Sequence, residues 1–335
     1  MRSTGALLCA TAMTLLGSSF PVSRELTGYP TLTGQAARYL VAAVLLAMLV
    51  PHGGGRGPRR RELLRLAGLA ATGLAAFNVC VLAALRHAEP AVLGTVIGGT
   101  PLLLAILGPA LAGRRPATRL VGCGAVVVVG IALVQGGGHA SAAGLCWALG
   151  ALAGEVFFSL LAAPLLAPLG GVRVSAWACA LAVPQLVVAA AVTGEWRRLR
   201  APTALEGAAL LYLAVVLTVV AFLCWYGGLR RLGVERAGMF AGLLPVASLA
   251  GTVVIDHTAP APVALLGTLV VAAGLGAGLA VPARPAAPAD PLPVPFPDET
   301  LATGAPTGGV PADEVPAGAV PVDQGVRSAA RTRSA

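Results

Sequence analysis

Glu155 stands in the run WALGALAGEVFFSLL, about 14 residues into a helix-length apolar stretch, or roughly 21 Å along a helix axis. A carboxylate that deep in hydrocarbon costs several kcal/mol unless it faces a polar cavity or takes up a proton. Three readings fit it: an ionisable cavity group that couples proton and solute movement, a structural partner for an arginine, or a group exposed near an interface. Arg38 lies seven residues into another apolar stretch (residues 31–50). Its guanidinium suits a substrate carboxylate or Glu155, and it is also placed to anchor a helix end by snorkelling. Ser18, Ser19, Asn78, Gln185, Thr218, Trp225 and Tyr226 are polar or amphipathic groups in similar runs. Asn78 and Gln185 are the stronger cavity candidates, because a side-chain amide needs partners in apolar surroundings. For each the plainer reading is a hydrogen bond between helices or an interfacial aromatic.

The stretches that position these groups dominate the chain. Hydrophobic residues make up 57% and charged residues 11%, with a mean hydropathy of +0.83. Too little charged surface exists to coat a soluble body of this composition. Ten runs long enough to cross a bilayer fall near 4–23, 31–50, 63–84, 90–112, 117–135, 141–162, 172–193, 204–227, 233–255 and 262–281. The composition predicts an all-α polytopic membrane protein. The 23 basic residues are all arginine, and the net charge of +9 sits mainly in short loops. There it sets topology and excludes a nucleic-acid partner. The six cysteines lack paired spacing and read as small hydrophobes, with no metal site and no cofactor. The four histidines are scattered over loops, and enzyme and nucleotide-binding motifs are missing. The lipid bilayer is thus the surrounding partner, and any uphill work must draw on an ion or solute gradient.

The chain is also a duplication. LRHAEPAVLGTVIGGTP from Leu85 to Pro101 returns as LRRLGVERAGMFAGLLP from Leu229 to Pro245. Gly94, Gly98 and Pro101 match Gly238, Gly242 and Pro245 at a fixed offset. These pairs read as helix-packing and hinge positions: small residues let helices approach, and proline removes one backbone hydrogen bond. Five spans per copy is an odd number, so the second copy enters the membrane upside down. The predicted architecture is ten transmembrane helices as two inverted five-helix repeats, 1–137 and 138–282, followed by a disordered Pro/Ala-rich tail at 283–335. Arg56, Arg59, Arg60, Arg61, Arg65, Arg114, Arg115, Arg119, Arg173, Arg230, Arg231 and Arg236 fall on one side and favour cytoplasmic N- and C-termini. Arg197, Arg198 and Arg200 go against that bias.

Gly17-Ser18-Ser19-Phe20 and Ala37-Arg38-Tyr39-Leu40 resemble the first- and second-helix motifs of EamA-type transporters of the drug/metabolite transporter superfamily. Trp225-Tyr226, Leu229-Arg230-Arg231-Leu232-Gly233 and the Pro245 segment are similar to the junction between the third and fourth helices of such a repeat. The likeness covers residues 4–282. Where family repeats carry Gly-Glu after the fourth helix, this chain has Gly113-Arg114 and Asp256-His257. The resemblance implies a permease in a bacterial plasma membrane that moves small metabolites, amino acids or drugs, often outward, by alternating access. Together with Glu155 it suggests proton-linked export of a small cationic or zwitterionic solute. A membrane-embedded enzyme or a non-transporting sensor is the competing class. A polar cavity at mid-membrane separates the two, since a dry, fully packed bundle favours the second.

Overall fold

The computed structural model describes residues 2–26, 28–50, 56–257 and 259–281. The expected tail at 283–335 therefore lies outside the described residues, as do the side chains of Ser18 and Ser19, whose backbone is helical. All named elements are helical: α1 (Arg2–Arg24), α2 (Thr31–Met48), α3 (Arg60–Ala84), α4 (Pro90–Leu111), α5 (Thr118–Gln135), α6 (Ala142–Val192), α7 (Ala204–Leu232), α8 (234–256) and α9 (Pro262–Ala280). Seven of these are long and apolar enough to cross a membrane, namely α2 to α7 and α9. Many of their large apolar side chains point outward: Val192 is 82% exposed, Met48 69% and Leu269 67%. Such a surface is stable against lipid and not against water.

At 51 residues α6 would reach about 76 Å if straight, more than twice the hydrocarbon thickness. It is broken at Gly170, where φ is 77° and ψ 158°, a conformation essentially reserved for glycine. The sequence predicts this break as a loop across 163–171. Instead the first arm continues through Pro164 and Pro168 to residue 169, and a second arm starts at 171. Both prolines are absorbed within the helix, so the turn narrows to one residue.

The duplication extends to the irregularities of the helices. A π-helical segment interrupts α3 at Ala70–Ala76, and another interrupts α7 at Leu213–Val220. These fall at matching places of the two copies. The fourth run of each copy also loosens at its duplicated glycines, at residues 98–99 in α4 and in the 3-10 turn Phe240–Gly242 of α8. Pro101 consequently lies in the first turn of a restarted helix, where its missing N–H costs little. The Ile97 carbonyl, which an N–H at residue 101 would have used, accepts the Thr100 hydroxyl at 2.7 Å. Pro245 is likewise in the first turn of the restarted segment of α8.

Packing crosses between the copies. α1 lies on the second half of α7 and on α8, while α6 lies on α3 and α4. Helices α5 and α9 pack closely, meeting where Gly130 and Gly267 touch. A Cβ at Gly130 would fall 2.7 Å from the Val271 nitrogen and 2.9 Å from the Gly267 carbonyl oxygen. The duplicated glycines serve the same purpose. A Cβ at Gly98 would strike Ile131, one at Gly94 would strike Gln135, one at Gly238 Leu104, and one at Gly242 Val127.

Loops sort into two groups by contact. At one end Glu195 accepts the Leu32 and Thr33 backbone N–H groups at 3.2 and 2.9 Å, capping α2 with a carboxylate from the other copy. Arg200 there stacks on Tyr29 and pairs with Glu206, which offsets one charge of the 197–200 cluster. Residues 87–89 meet 139–141 by backbone hydrogen bonds. At the other end Gly5 abuts Arg231 and Leu232, Arg114 pairs with Glu235, and Arg236 donates to the Val281 carbonyl.

Candidate functional site

Few polar side chains are fully buried among the described residues, and several gather where α2, α6 and α7 meet. Arg38 turns inward from α2: its Nε donates to Thr218 Oγ1 at 2.7 Å and its Nη1 to Gln35 Oε1 at 3.0 Å. Thr218 belongs to the π-helical segment of α7, and its hydroxyl also donates to the Leu213 carbonyl at 3.0 Å. Widening of the helix thus supplies both the acceptor for the threonine and the position from which it reaches Arg38. π-bulges recur at functional sites for this reason. The Arg38 guanidinium additionally lies 5.2 Å from the centre of the Tyr39 ring, within cation–π range.

Tyr39 stands between two charges. Its hydroxyl accepts from Asn78 Nδ2 at 3.4 Å, and the same amide donates to the Leu74 carbonyl at 2.7 Å. Glu155, on the first arm of α6, is close enough to act electrostatically on the phenols of both Tyr39 and Tyr226. The carboxylate lies deep in the protein yet keeps part of its surface accessible. Arg38 directs Nε and Nη1 to Thr218 and Gln35, keeps Nη2 for a further acceptor, and forms no ion pair with Glu155 among the described residues. The two charges instead flank an aromatic wall.

That wall comes from the second copy, and the first copy adds Arg38, Tyr39 and Asn78 to the cluster. Phe158 stacks on Tyr226 with ring centres 5.3 Å apart and tilts against Phe222 at 5.0 Å. Trp225 donates its indole N–H to Ser159 Oγ at 3.2 Å. Gly171, Ser175 and Cys179 succeed one another at helical spacing on the second arm of α6, with Gly171 against Tyr226. Trp225 and Tyr226 are 3% and 1% exposed, so the wall is buried, while Arg38 and Glu155 beside it are half-buried. Yet the Tyr226 hydroxyl and the Ser175 hydroxyl are buried without a hydrogen-bond partner among the described residues. A finished packing core satisfies such groups, because an orphaned one costs about 1–3 kcal/mol.

Of the sequence-predicted residues, Arg38, Asn78, Glu155, Trp225 and Tyr226 come together, while Gln185 lies elsewhere. It lines an apolar groove with Ala75, Val79, Trp147 and Val188, and its Oε1 is buried without a partner. Ser18 and Ser19 lie outside the described side chains, but the run Gly17-x-x-Phe20 matches Gly154-x-x-Phe157, so Ser18 corresponds to Glu155. Sequence reasoning missed Phe158, Ser159, Ser175 and Cys179, and ranked Thr218 low. Residues 155 and 159 are one turn apart on one face, a spacing that would have found Ser159 once Glu155 was chosen. Among the described residues no group of three His, Cys, Asp or Glu side chains could hold a metal ion. What the cluster offers is recognition: a guanidinium for an anionic group, a carboxylate for a cationic group or a proton, and an aromatic surface between them.

The sequence is similar to known transporters. It is 26% identical over 251 residues to "Uncharacterized transporter YetK" of Bacillus subtilis, covering 72% of this chain and 76% of that one. Over 262 residues it is 29% identical to a "Probable terminal-alkyne amino-acid exporter" of Streptantibioticus cattleyicolor, covering 77% and 87%. A crystal structure with 20% identity superposes at a TM-score of 0.69 over 83% of this chain and 96% of that chain, which shows a shared fold. The EamA-like transporter family matches twice, over residues 3–135 and again over 140–277. Two matches that together span most of an apolar helical bundle make this a membrane transporter, and the chain belongs to the EamA-like transporter family.

Proposed function

We propose that this protein is a secondary-active exporter of small zwitterionic metabolites, amino acids foremost, working by alternating access. The observation that carries the reading is the buried cluster with its opposite charges, Arg38 and Glu155, and its two orphaned hydroxyls, Ser175 and Tyr226. Arg38 receives the solute carboxylate, Glu155 receives the ammonium group or a proton, and the aromatic wall holds the apolar side chain. The relative named a probable terminal-alkyne amino-acid exporter points to a solute of this chemical type. Because both copies contribute to the cluster, a movement of one against the other rebuilds it toward either side.

The architecture in this reading is ten transmembrane helices in two inverted five-helix repeats, 1–137 and 138–282. The two arms of α6 count as separate spans, and α1 and α8 complete the ten. Supporting the inversion, His87 of the first copy meets Ser141 and Gly144 at the start of the second, while its counterpart Arg231 meets Gly5 at the start of the first. The buried wall corresponds to the occluded stage of the cycle, which also accounts for a central site with little exposed surface. The termini are placed in the cytoplasm of a bacterial cell, where most of the loop arginines gather. Export of the free amino-acid pool tests the reading. Cells overproducing the protein, loaded with dipeptides, should release at least one amino acid faster than deletion cells. Equal release of every amino acid would remove the proposed substrate class.

A further inference from the structure

Away from the interior cluster, α5 and α9 leave a groove of about 670 Å³ between them. It starts at the helix ends, beside Arg119 and Val281, and runs inward to Val126 and Ala273, about 11 Å along the helices. Its floor is closed where Gly274 meets Val127, since a Cβ there would lie 2.9 Å from that side chain. Its flank at Gly122 is open, with nothing within 4 Å of a Cβ position. Arg119 is exposed and its guanidinium has no partner among the described residues, whereas Arg114 nearby in sequence is held by Glu235. No carboxylate lines the groove. The other sizeable groove, about 620 Å³ around Gln185, is equally apolar but carries no cation.

A cation at the helix ends above an apolar slot presents, in order, what a phospholipid presents: an anionic phosphate above acyl chains. We propose that the α5–α9 groove binds one anionic phospholipid, with its phosphate on Arg119 and an acyl chain along Val126 and Ala277. A zwitterionic lipid has the same chains but no net charge to match. One basic residue at an anionic membrane surface favours binding by about fivefold, the equivalent of about 1 kcal/mol.

Native mass spectrometry of the full chain tests this, with dioleoylphosphatidylglycerol and dioleoylphosphatidylcholine as probes. The anionic lipid should be retained about fivefold more strongly. Arg119→Gln should erase that preference while leaving the thermal midpoint in lipid-free detergent unchanged. Ala277→Leu, which fills the slot, should lower retention of both lipids; if that variant fails to fold, Arg119→Gln decides alone. Equal retention of the two lipids by the unaltered protein would overturn the proposal, as would undiminished preference in Arg119→Gln. So would a dimer that Ala277→Leu dissociates, because the groove would then hold a second copy. Phosphatidylglycerol binding that emerges only after deletion of 284–335 would assign the groove to the chain's own C-terminal segment and overturn it equally.

Discussion

Tyr226→Phe separates a transport site from a packing core more cleanly than any truncation. The substitution removes one oxygen and keeps the ring, so the stack on Phe158 at 5.3 Å and the contact with Phe222 at 6.1 Å survive. The lost hydroxyl is buried without a partner among the described residues, and holding such a group dry costs about 1–3 kcal/mol. Removing it should therefore stabilise the closed state by about 1 kcal/mol, a rise of about 2–4 °C in Tm. In the same variant, a hydroxyl that binds solute would be missed. A hydrogen bond of about 0.5–1.5 kcal/mol corresponds to a transport rate lower by roughly 2- to 10-fold. Thermal unfolding in detergent and amino-acid counterflow in proteoliposomes read the two effects separately. Trp225→Phe provides the contrast, because it discards a made hydrogen bond to Ser159 and should lower Tm. A destabilised Tyr226→Phe that transports at the normal rate would refute the reasoning, since the hydroxyl would then be structural.

Two further outcomes follow from the packing and the topology. Gly130→Val places a Cβ 2.7 Å from the Val271 nitrogen, and backbone cannot move aside as a side chain can. The α5–α9 contact should open at a cost of about 3 kcal/mol, seen as lower folded yield and Tm. In a background without the six native cysteines, His87→Cys should react with a membrane-impermeant maleimide in intact cells, and Arg231→Cys, at the matching place of the other copy, only after lysis. Labelling of both from outside would contradict the inverted arrangement.

That the chain is built of apolar membrane-crossing helices was legible from length and hydropathy, although seven helices, not ten, are long and apolar enough among the described residues. The repeat was legible too, down to Gly98 and Gly242, since the shared Gly-x-x-x-Gly-x-x-Pro spacing loosens the helix at 98–99 and again at 240–242. The π-helical segments fall in register at 70–76 and 213–220 but leave no pattern that can be read from residue types, because Val, Leu and Ala accommodate both helical forms. Rotation of each helix about its axis was the larger loss. In a span that is apolar all round, no stripe marks the inner face, so Gln185 was grouped with Asn78 although only Asn78 faces Tyr39. Arg38 was found because a guanidinium in an apolar run is costly wherever it points. Its partner Thr218 was ranked low because a threonine hydroxyl can be satisfied by its own helix. The turn at Gly170 was misplaced for a related reason: Pro164 and Pro168 mark a helix end in water, whereas neighbouring helices tolerate them in a membrane protein.

Proton-linked export rests on Glu155 taking up a proton, and amino-acid transport in proteoliposomes under an imposed pH gradient tests that step. The unaltered protein should transport faster when a gradient is imposed than when it is collapsed. Glu155→Gln should retain counterflow exchange, since an amide still fits the cluster, but lose the response to the gradient. An undiminished gradient response in Glu155→Gln would contradict the account, and the coupling group would have to be sought elsewhere in the bundle.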